Sequence, residues 1–323
     1  MRGPILVFGA GGQIGREVLA LANARGIKAA GCNRTQVDIT SAAAVAAAIA
    51  EAKPRAVVNA AAYTAVDKAE TEKESAYLAN AWGAGLVARA AAEHGVPVIQ
   101  ISSDYVFNGT KIGPYVETDP IAPLGVYGRT KAEGEEQVRE NNPRSCILRT
   151  AWVYGRFGAN FLKTVLRLAS EREELRVVAD QYGCPTSALD VAEAVLAVDR
   201  AWNCGVEAAG TYHFAGAGIT SWHGFASAIV DSRARVTGHR VKVAAITTAE
   251  YPTLARRPAN SALDSNLFET VFGYRAQAWQ ARVPETVEMI LNQGEVETSK
   301  GLFSRAELAR AAINNRCEPI TNL

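Results

Sequence analysis

Two short stretches of the chain hold three side chains whose chemistry is complementary: Ser103, Tyr127 and Lys131. Tyr127 and Lys131 are four residues apart at the start of a predicted helix, so both side chains should lie on one face of it. A phenol has a free pKa of about 10, and a neighbouring ammonium group favours its ionised form. The pair therefore predicts a proton donor that works near neutral pH, and Ser103 adds a hydroxyl that can polarise a carbonyl group.

Ser103 lies at the end of a predicted buried strand, Val96–Ile101, which runs out into Ser102, Ser103 and Asp104. Ligands of open α/β sheets bind at the carboxyl ends of the strands. A Tyr-x-x-x-Lys spacing alone is a weak signal, and its ordinary meaning is a half-buried tyrosine beside a surface lysine. The elements around it decide between these two meanings.

A glycine-rich loop joins the first predicted strand, Pro4–Phe8, to the first predicted helix, Arg16–Ala24. Gly9, Gly12 and Gly15 permit a tight turn and a close approach of the backbone to a pyrophosphate. The amino end of the helix offers free N–H groups and a favourable dipole. The loop therefore predicts a dinucleotide-binding site, with an ordinary strand-to-helix turn as the alternative.

The second predicted strand, Ile27–Cys32, leads into Asn33 and Arg34. NAD sites commonly have a carboxylate here for the ribose 2′-hydroxyl, whereas an arginine accepts the 2′-phosphate of NADP. The sequence therefore favours NADPH, with NADH as a second cofactor. Asp38 and Ile39, a few residues further on, are candidates for an adenine contact.

Strands and helices alternate regularly up to Gly155, which is typical of a doubly wound parallel sheet. We predict an α/β fold with a Rossmann-type NAD(P)-binding domain over residues 1–155, to which elements from about 188–215 return. Residues 156–293 form a smaller α/β substrate domain. Residues 294–323 are a tail of unknown role, in which Arg305–Asn314 predicts an exposed helix.

The composition excludes several classes of protein. The chain has 323 residues, 48% of them hydrophobic, and a formal net charge of +1, so it has room for about two domains and carries no basic footprint for nucleic acid or a membrane surface. No apolar run approaches the length of a membrane span, and no signal peptide is expected. The five scattered cysteines and four unpatterned histidines indicate a cytoplasmic, metal-free protein.

Several motifs together resemble the dTDP-4-dehydrorhamnose reductase family, a branch of the extended short-chain dehydrogenases/reductases. They fall in the order typical of the family and cover roughly residues 4–292. The matching blocks are Gly9–Gly15, Asn59–Glu70, Ser103–Phe107, Tyr127–Lys131, Arg149–Gly155, Asp180–Thr186 and Arg257–Ser261.

The resemblance implies reduction of the 4-keto group of dTDP-4-dehydro-6-deoxy-L-mannose with NAD(P)H, giving dTDP-L-rhamnose. It makes Ser103, Tyr127 and Lys131 the catalytic set; the family often has threonine at the position of Ser103. The sugar contacts it implies are Ser103, Asp104, Trp152 and Arg257. The cofactor contacts, including those of the glycine loop, are Gly9, Gly12, Gln13, Ile14, Gly15, Asn33, Arg34, Asp38, Ile39, Ala62, Tyr63, Thr64, Tyr127 and Lys131.

Some members of the family bind magnesium through glutamates at the interface of a homodimer. Glu17 matches one of these glutamates, but Leu189 stands where another is expected, so we assign no metal. Two alternatives stay open: a 4-ketoreductase for another nucleotide-activated deoxyhexose, and a non-catalytic NADP-binding regulatory subunit. The presence of Ser103, Tyr127 and Lys131 together argues against the second.

Overall fold

The structure is a computed structural model that describes residues 3–299. Its strands are β1 Ile5–Phe8, β2 Ala29–Cys32, β3 Ala56–Asn59, β4 Val98–Ser103, β5 Ser145–Thr150, β6 Val153–Tyr154, β7 Glu174–Val178, β8 Tyr182–Gly183, β9 Thr186–Ser187, β10 Gly210–His213, β11 Thr220–Ser221 and β12 Lys242–Ile246. Its α-helices are α1 Gln13–Ala24, α2 Ala42–Ala52, α3 Val66–Ala69, α4 Lys73–Tyr77, α5 Gly83–Glu93, α6 Val126–Asn141, α7 Phe161–Glu171, α8 Ala188–Asn203, α9 Trp222–Thr237, α10 Asn266–Phe272 and α11 Trp279–Ser299. A π-helical turn covers Leu78–Trp82, and 3₁₀ turns cover Asp104–Val106 and Thr248–Glu250.

Six parallel strands form the central sheet, in the order β10-β5-β4-β3-β1-β2. Residues on both faces of β1, β3, β4 and β5 are buried, as in sheets covered by helices on either side. The predicted Rossmann-type parallel sheet is therefore confirmed. The strand order reverses between β1 and β3, which is the point where open α/β sheets bind ligands.

Separate hydrophobic cores cover the two faces of the sheet. On one face α1 and α8 pack around Ile5 and Val195, and on the other α2 and α5 pack around Leu6 and Val87. A third core lies in the second half of the chain, where α7, α9 and α11 pack together around Phe225. Because β10 extends the sheet beside β5, the second half of the chain is joined directly to the first.

Two elements differ from their predicted form. The strand predicted over Val96–Ile101 begins and ends two residues later, as β4 Val98–Ser103, so that Ser103 is its last residue. From its amphipathic sequence, the segment Lys73–His94 is expected to form one long helix, but the π-helical turn interrupts it and brings Asn80 into the interior. Such turns are frequent at functional sites.

The described residues contain no helix with both the length and the apolar character needed to cross a bilayer. Helix α11 continues to Ser299, into the predicted tail. The helix predicted over Arg305–Asn314 lies outside the described residues.

Candidate active site

The carboxyl ends of four neighbouring strands carry most of the predicted site residues to one edge of the sheet. The glycine loop follows β1, the segment with Ala62 follows β3, Ser103 ends β4, and Trp152 follows β5. Parallel strands necessarily bring the segments that follow them to the same edge. Residues that are distant in sequence therefore share one site.

The glycine loop fits a dinucleotide. Gly9 has a φ of +79°, and a Cβ on it would lie 2.4 Å from the backbone nitrogen of Ala61, so only glycine fits there. Helix α1 begins after Gly12 with no side chain capping it, and its first turn contains no acidic residue. In contrast, the Ser41 hydroxyl caps α2. The uncapped N–H groups of α1 match the need of a pyrophosphate.

The segment after β2 fits the adenosine half of the cofactor. Asn33 accepts hydrogen bonds from the backbone N–H groups of Thr35 and Gln36, and this turn leaves Arg34 exposed. Asp38 is exposed as well, and hydrogen bonds from Thr40 hold the pKa of its carboxyl below the ordinary value. Ile39 is buried at the base of the segment.

Asn80 anchors the segment that follows β3. Its side-chain oxygen accepts from the backbone N–H of Tyr63 at 2.8 Å, and its Nδ2 donates to the Tyr63 carbonyl at 3.1 Å. The same Nδ2 donates to the Thr130 hydroxyl of α6 at 3.1 Å. Ala62 and Thr64, on either side, are exposed towards solvent. One buried amide therefore fixes both the predicted cofactor segment and α6, the helix that carries Tyr127 and Lys131.

The structure brings Ser103, Tyr127 and Lys131 together where β4 meets α6. Lys131 is buried, and its Nζ donates to the Ile101 carbonyl at 2.6 Å. Tyr127 is half-buried, with its ring edge-to-face against Tyr105 at 5.6 Å between centroids. The Ser103 hydroxyl donates to Asp104 Oδ1 at 2.9 Å and accepts from the Tyr105 backbone N–H at 3.2 Å.

The prediction that Lys131 lowers the pKa of Tyr127 was wrong for this arrangement. Burial raises the pKa of Tyr127 above the ordinary value, and the neighbouring Ser103 hydroxyl lowers it only in part. Burial also lowers the pKa of Lys131 to about 8, while the charge of Glu135 acts against this shift. At neutral pH the phenol therefore keeps its proton, which is the protonation state of an acid catalyst.

Asp104 presents an unsatisfied acceptor. The residue is buried, and its Oδ2 has no hydrogen-bond partner among residues 3–299. Burial raises the pKa of its carboxyl to about 6, although the neighbouring hydroxyls of Ser261 and Ser103 lower it in part. A buried oxygen without a partner is costly, and a ligand hydroxyl would satisfy it.

Trp152 forms one wall of the site under backbone strain. Its φ of 46° lies in the left-handed region, which is unusual for a bulky residue. Its ring stacks on Trp222 with 3.4 Å between centroids, and its Nε1 donates to the Ser261 hydroxyl at 3.2 Å. Gly183 lies against the ring so closely that a Cβ there would be 2.4 Å from Trp152 Cε2. Strain of this kind persists only where the surroundings enforce it, most often at functional sites.

Arg257 is buried with only part of its donor capacity used. Its Nη2 donates to Asp67 Oδ2 at 2.7 Å, whereas Nε and Nη1 have no partner among the described residues. Asp67 also accepts from the backbone N–H of Ala255 at 3.0 Å. A buried guanidinium with unsatisfied donors is suited to an anionic or polar ligand.

Glu17 is neutralised by an arginine. Arg156 donates to both of its carboxylate oxygens, at 3.0 and 2.9 Å. Over residues 3–299 no group of histidine, cysteine, aspartate and glutamate side chains is arranged to hold a metal ion.

Three residues acquire roles that the sequence did not reveal. Asp67 holds Arg257, Asn80 fixes two segments, and Glu70 accepts from the backbone N–H of Val126 at 2.8 Å, at the start of α6. A carboxylate is favoured at this end of a helix. Asp67 and Glu70 belong to a recognised motif block, which was the available signal, but only the folded chain shows what each contacts.

Comparison with known proteins places this site in context. A family model described as RmlD substrate binding domain matches residues 1–292. The chain is 44% identical to dTDP-4-dehydrorhamnose reductase of Sinorhizobium fredii over 293 residues, which cover 90% of this chain and 99% of that protein.

Two solved structures are similar over most of the chain. The crystal structure of a dTDP-4-dehydrorhamnose reductase from Clostridium acetobutylicum superposes with a TM-score of 0.83 at 40% identity, covering 89% of this chain and 99% of that one. The enzyme of that name from Bacillus anthracis, solved in complex with NADP, gives a TM-score of 0.81 at 34% identity, covering 91% of this chain and 100% of that one.

Proposed function

The chain belongs to the dTDP-4-dehydrorhamnose reductase family, and we propose that it reduces the 4-keto group of dTDP-4-dehydrorhamnose to give dTDP-L-rhamnose. It is an oxidoreductase that uses NADPH, with NADH as a second cofactor. The observation that carries this proposal is the junction of β4 and α6, where Ser103, Tyr127 and Lys131 meet beside the cradle for a dinucleotide.

The residues of the chain divide the reaction among them. When bound, the nicotinamide supplies the hydride that adds to C4 of the sugar. Tyr127, which is protonated at neutral pH, donates its proton to the developing alkoxide, and Ser103 hydrogen-bonds the same oxygen. Lys131 is held by the Ile101 carbonyl one helical turn after Tyr127, and it orients the cofactor ribose. Stabilising charge where it develops is usually the largest catalytic term.

The sugar nucleotide is bound by side chains with unused capacity. Asp104 Oδ2 accepts a sugar hydroxyl, Trp152 presents a flat ring to the sugar, and the free donors of Arg257 face the polar part of the substrate. Residues 156–293 supply Trp222, Ser261 and Gly183 around Trp152 and serve as the substrate domain.

Arg34 and the glycine loop bind the cofactor. The exposed guanidinium of Arg34 donates hydrogen bonds to the 2′-phosphate, and the loop from Gly9 to Gly15 binds the pyrophosphate at the start of α1. Asp38 and Ile39 contact the adenine, and Ala62, Tyr63 and Thr64 line the path of the nicotinamide half.

A homodimer and a cytoplasmic location, both implied by the family, complete this proposal. Light scattering on the purified chain measures its mass in solution directly. A mass equal to that of one chain at micromolar concentration would exclude the dimer.

The decisive experiment measures NADPH oxidation with dTDP-4-dehydrorhamnose and identifies the product, with NADH in a parallel reaction. The Tyr127→Phe variant should lose about 10²–10⁴-fold in turnover, the contribution typical of a general acid, while binding NADPH as tightly as the wild type. Tyr212→Phe, the same change on β10 away from the site, is the matched control and should keep full activity.

The outcomes separate this function from its alternatives. Turnover only with another keto sugar would indicate a different deoxyhexose reductase. Tight NADPH binding without turnover on any keto sugar would indicate a regulatory subunit. Loss of NADPH binding in Tyr127→Phe would contradict the division of roles among the residues.

A further inference from the structure

The catalytic residues lie on two elements that the chain joins only through a long connection. Ser103 ends β4, whereas Tyr127 and Lys131 lie on α6, and residues 104–125 separate them. Connectivity therefore does not fix the distance between the hydroxyl and the phenol. Rate falls steeply when reacting groups are misplaced by as little as 1 Å, so some contact must hold α6 in register with β4.

Glu135 forms this contact. Its side chain is fully buried on α6. The Ser102 hydroxyl of β4 donates to Oε1 at 2.6 Å, and Arg149 of β5 donates to both carboxylate oxygens, from Nε at 2.9 Å and from Nη2 at 2.7 Å. Ser102 and Arg149 are directly paired across the two strands, so one carboxylate joins the helix to both of them.

The contacts of Glu135 with Ser102 and Arg149, called the bridge below, lie on the same helix face as Tyr127 and Lys131. Glu135 follows Lys131 by one turn and Tyr127 by two, and residues four apart lie above one another. Lys131 contacts the carbonyl of Ile101 and Glu135 contacts the hydroxyl of Ser102, the two residues directly before Ser103. The helix is therefore anchored to the strand immediately beside the reacting hydroxyl.

The charges around the bridge keep it ionised. Burial raises the pKa of Glu135, but Arg149 and Ser102 outweigh burial and hold the pKa below the ordinary value, and Arg139 on the helix surface adds to this effect. On its far side Arg149 approaches His213 of β10, whose pKa is lowered to about 4 by burial and by that arginine, so the imidazole is neutral near pH 7. The bidentate geometry is the most directional that an ion pair adopts.

We propose that Glu135 is a positioning residue of the reductase, holding α6 so that Tyr127 and Lys131 meet Ser103 in the reactive geometry. This inference rests on the proposed function. Because Glu135 is fully buried, it does not touch substrate or cofactor. It acts only through Lys131 and Tyr127, which lie one and two turns earlier on α6.

The first test is Glu135→Gln, which keeps the shape of the side chain but loses the paired charge of Arg149. We expect kcat to fall about 10–100-fold, because a small displacement of the acid is sufficient for this loss. The dissociation constant of NADPH should change less than about threefold, since the uncapped turn of α1 and Arg34 lie on other elements.

Asp199→Asn is the matched control. Asp199 on α8 also forms a bidentate pair with an arginine, accepting from Nε and Nη2 of Arg55 at 3.0 Å each. Arg55 directly precedes the amino end of β3, so this pair lies at the sheet edge opposite the site. The control should lose thermal stability to an extent similar to Glu135→Gln while keeping the wild-type kcat. A merely structural Glu135 would give the two variants the same kcat.

The second test combines Glu135→Gln with Tyr127→Phe. Residues that act as one unit are not additive, so once the acid itself is absent its displacement costs nothing further, and the double variant should have the activity of Tyr127→Phe alone. If the glutamine variant does not fold, Ser102→Ala removes one bond of the bridge and should lower kcat about three- to tenfold, again without effect in the Tyr127→Phe background.

Several results would overturn the inference. One is a kcat of Glu135→Gln, or of Ser102→Ala in its place, within twofold of the wild type; another is a loss that multiplies with that of Tyr127→Phe. In both cases the wild type still turns over and the proposed function stands. A wild-type protein without turnover would overturn the proposed function and this inference with it.

Discussion

The two walls of the site are held in place by different kinds of contact. On one wall, hydrogen bonds to buried polar side chains fix α6: Glu70 at its first residue, Asn80 at Thr130, and Ser102 with Arg149 at Glu135. On the other wall, the indole ring of Trp152 stacks on Trp222 and its Nε1 donates a hydrogen bond to Ser261.

This difference follows from what each wall does. Hydrogen bonds are directional, and the proposed proton transfer from Tyr127 requires a defined angle and distance. Stacked rings attract through many weak contacts that tolerate small shifts, which is sufficient for the proposed flat surface against a sugar. We therefore expect damage to the polar wall to lower kcat and damage to the aromatic wall to raise the KM of the sugar nucleotide.

Asp104 lies between the two walls, and its replacement should weaken use of the sugar nucleotide more than replacement of Trp222 or Thr130 does. Asp104→Asn keeps an acceptor for Ser103 but removes the charge at Oδ2. Hydrogen bonds to charged groups contribute about 1.5–3 kcal/mol, so kcat/KM for the dTDP sugar should fall about 10–100-fold. NADPH affinity, measured by fluorescence titration, should be unchanged, and a matching loss there would place Asp104 in the cofactor site.

The same variant should be more stable than the wild type at pH 8. The pKa of Asp104 in the folded protein, about 6, is raised above the ordinary value, so its contribution to stability is present at low pH and lost as the pH rises through 6. The uncharged asparagine avoids this loss, which is at most about 3 kcal/mol for a shift of this size. Thermal unfolding at pH 8 and pH 4 checks the sign: a gain that persists at pH 4 would contradict a titrating Asp104.

Trp222→Leu tests the aromatic wall alone. Without the stacked ring, Trp152 loses the contact that offsets its strained backbone, and the KM of the sugar nucleotide should rise about tenfold with kcat nearly unchanged. Trp279→Leu is the matched control, because Trp279 is buried in the same core and packs on Phe225 rather than on Trp152. Equal KM values in the two variants would show that the stack does not position Trp152.

The sequence predicted those parts of the site that depend on local order. The glycine loop was recognisable because strand, loop and helix are consecutive, and Tyr127 with Lys131 because their spacing is a property of one helix. The helix interruption at Leu78–Trp82 was not predicted, since nothing in the composition of this segment distinguishes a π-helical turn from a regular one.

The remaining features depend on the folded chain. The pKa of Tyr127 was predicted in the wrong direction because the spacing to Lys131 is visible in the sequence, whereas the burial that raises the pKa is not. Asp67, Asn80 and Trp222 contact partners far away in the chain, and single-sequence patterns do not contain such pairings. The types and spacing of the site residues were therefore predictable, whereas the long-range contacts that position them were not.

Thr130→Val should have the smallest effect and tests the polar wall at its middle anchor. The Thr130 hydroxyl accepts from Asn80 and donates to the carbonyl of Tyr127 at 3.0 Å, and valine keeps the shape but loses both bonds. We expect a stability loss of about 1–2 kcal/mol and a threefold decrease in kcat, since Glu70 and Glu135 still hold the helix at its other two points.

Thr164→Val is the control for this change. Thr164 makes the same kind of bond to the backbone of its own helix, to the Asn160 carbonyl at 3.1 Å, in the second half of the chain. Steady-state kinetics should separate the two variants in kcat and leave the KM of the sugar unchanged in both. A raised KM in Thr130→Val would mean that α6 also positions the sugar, and the division of labour between the two walls would then be wrong.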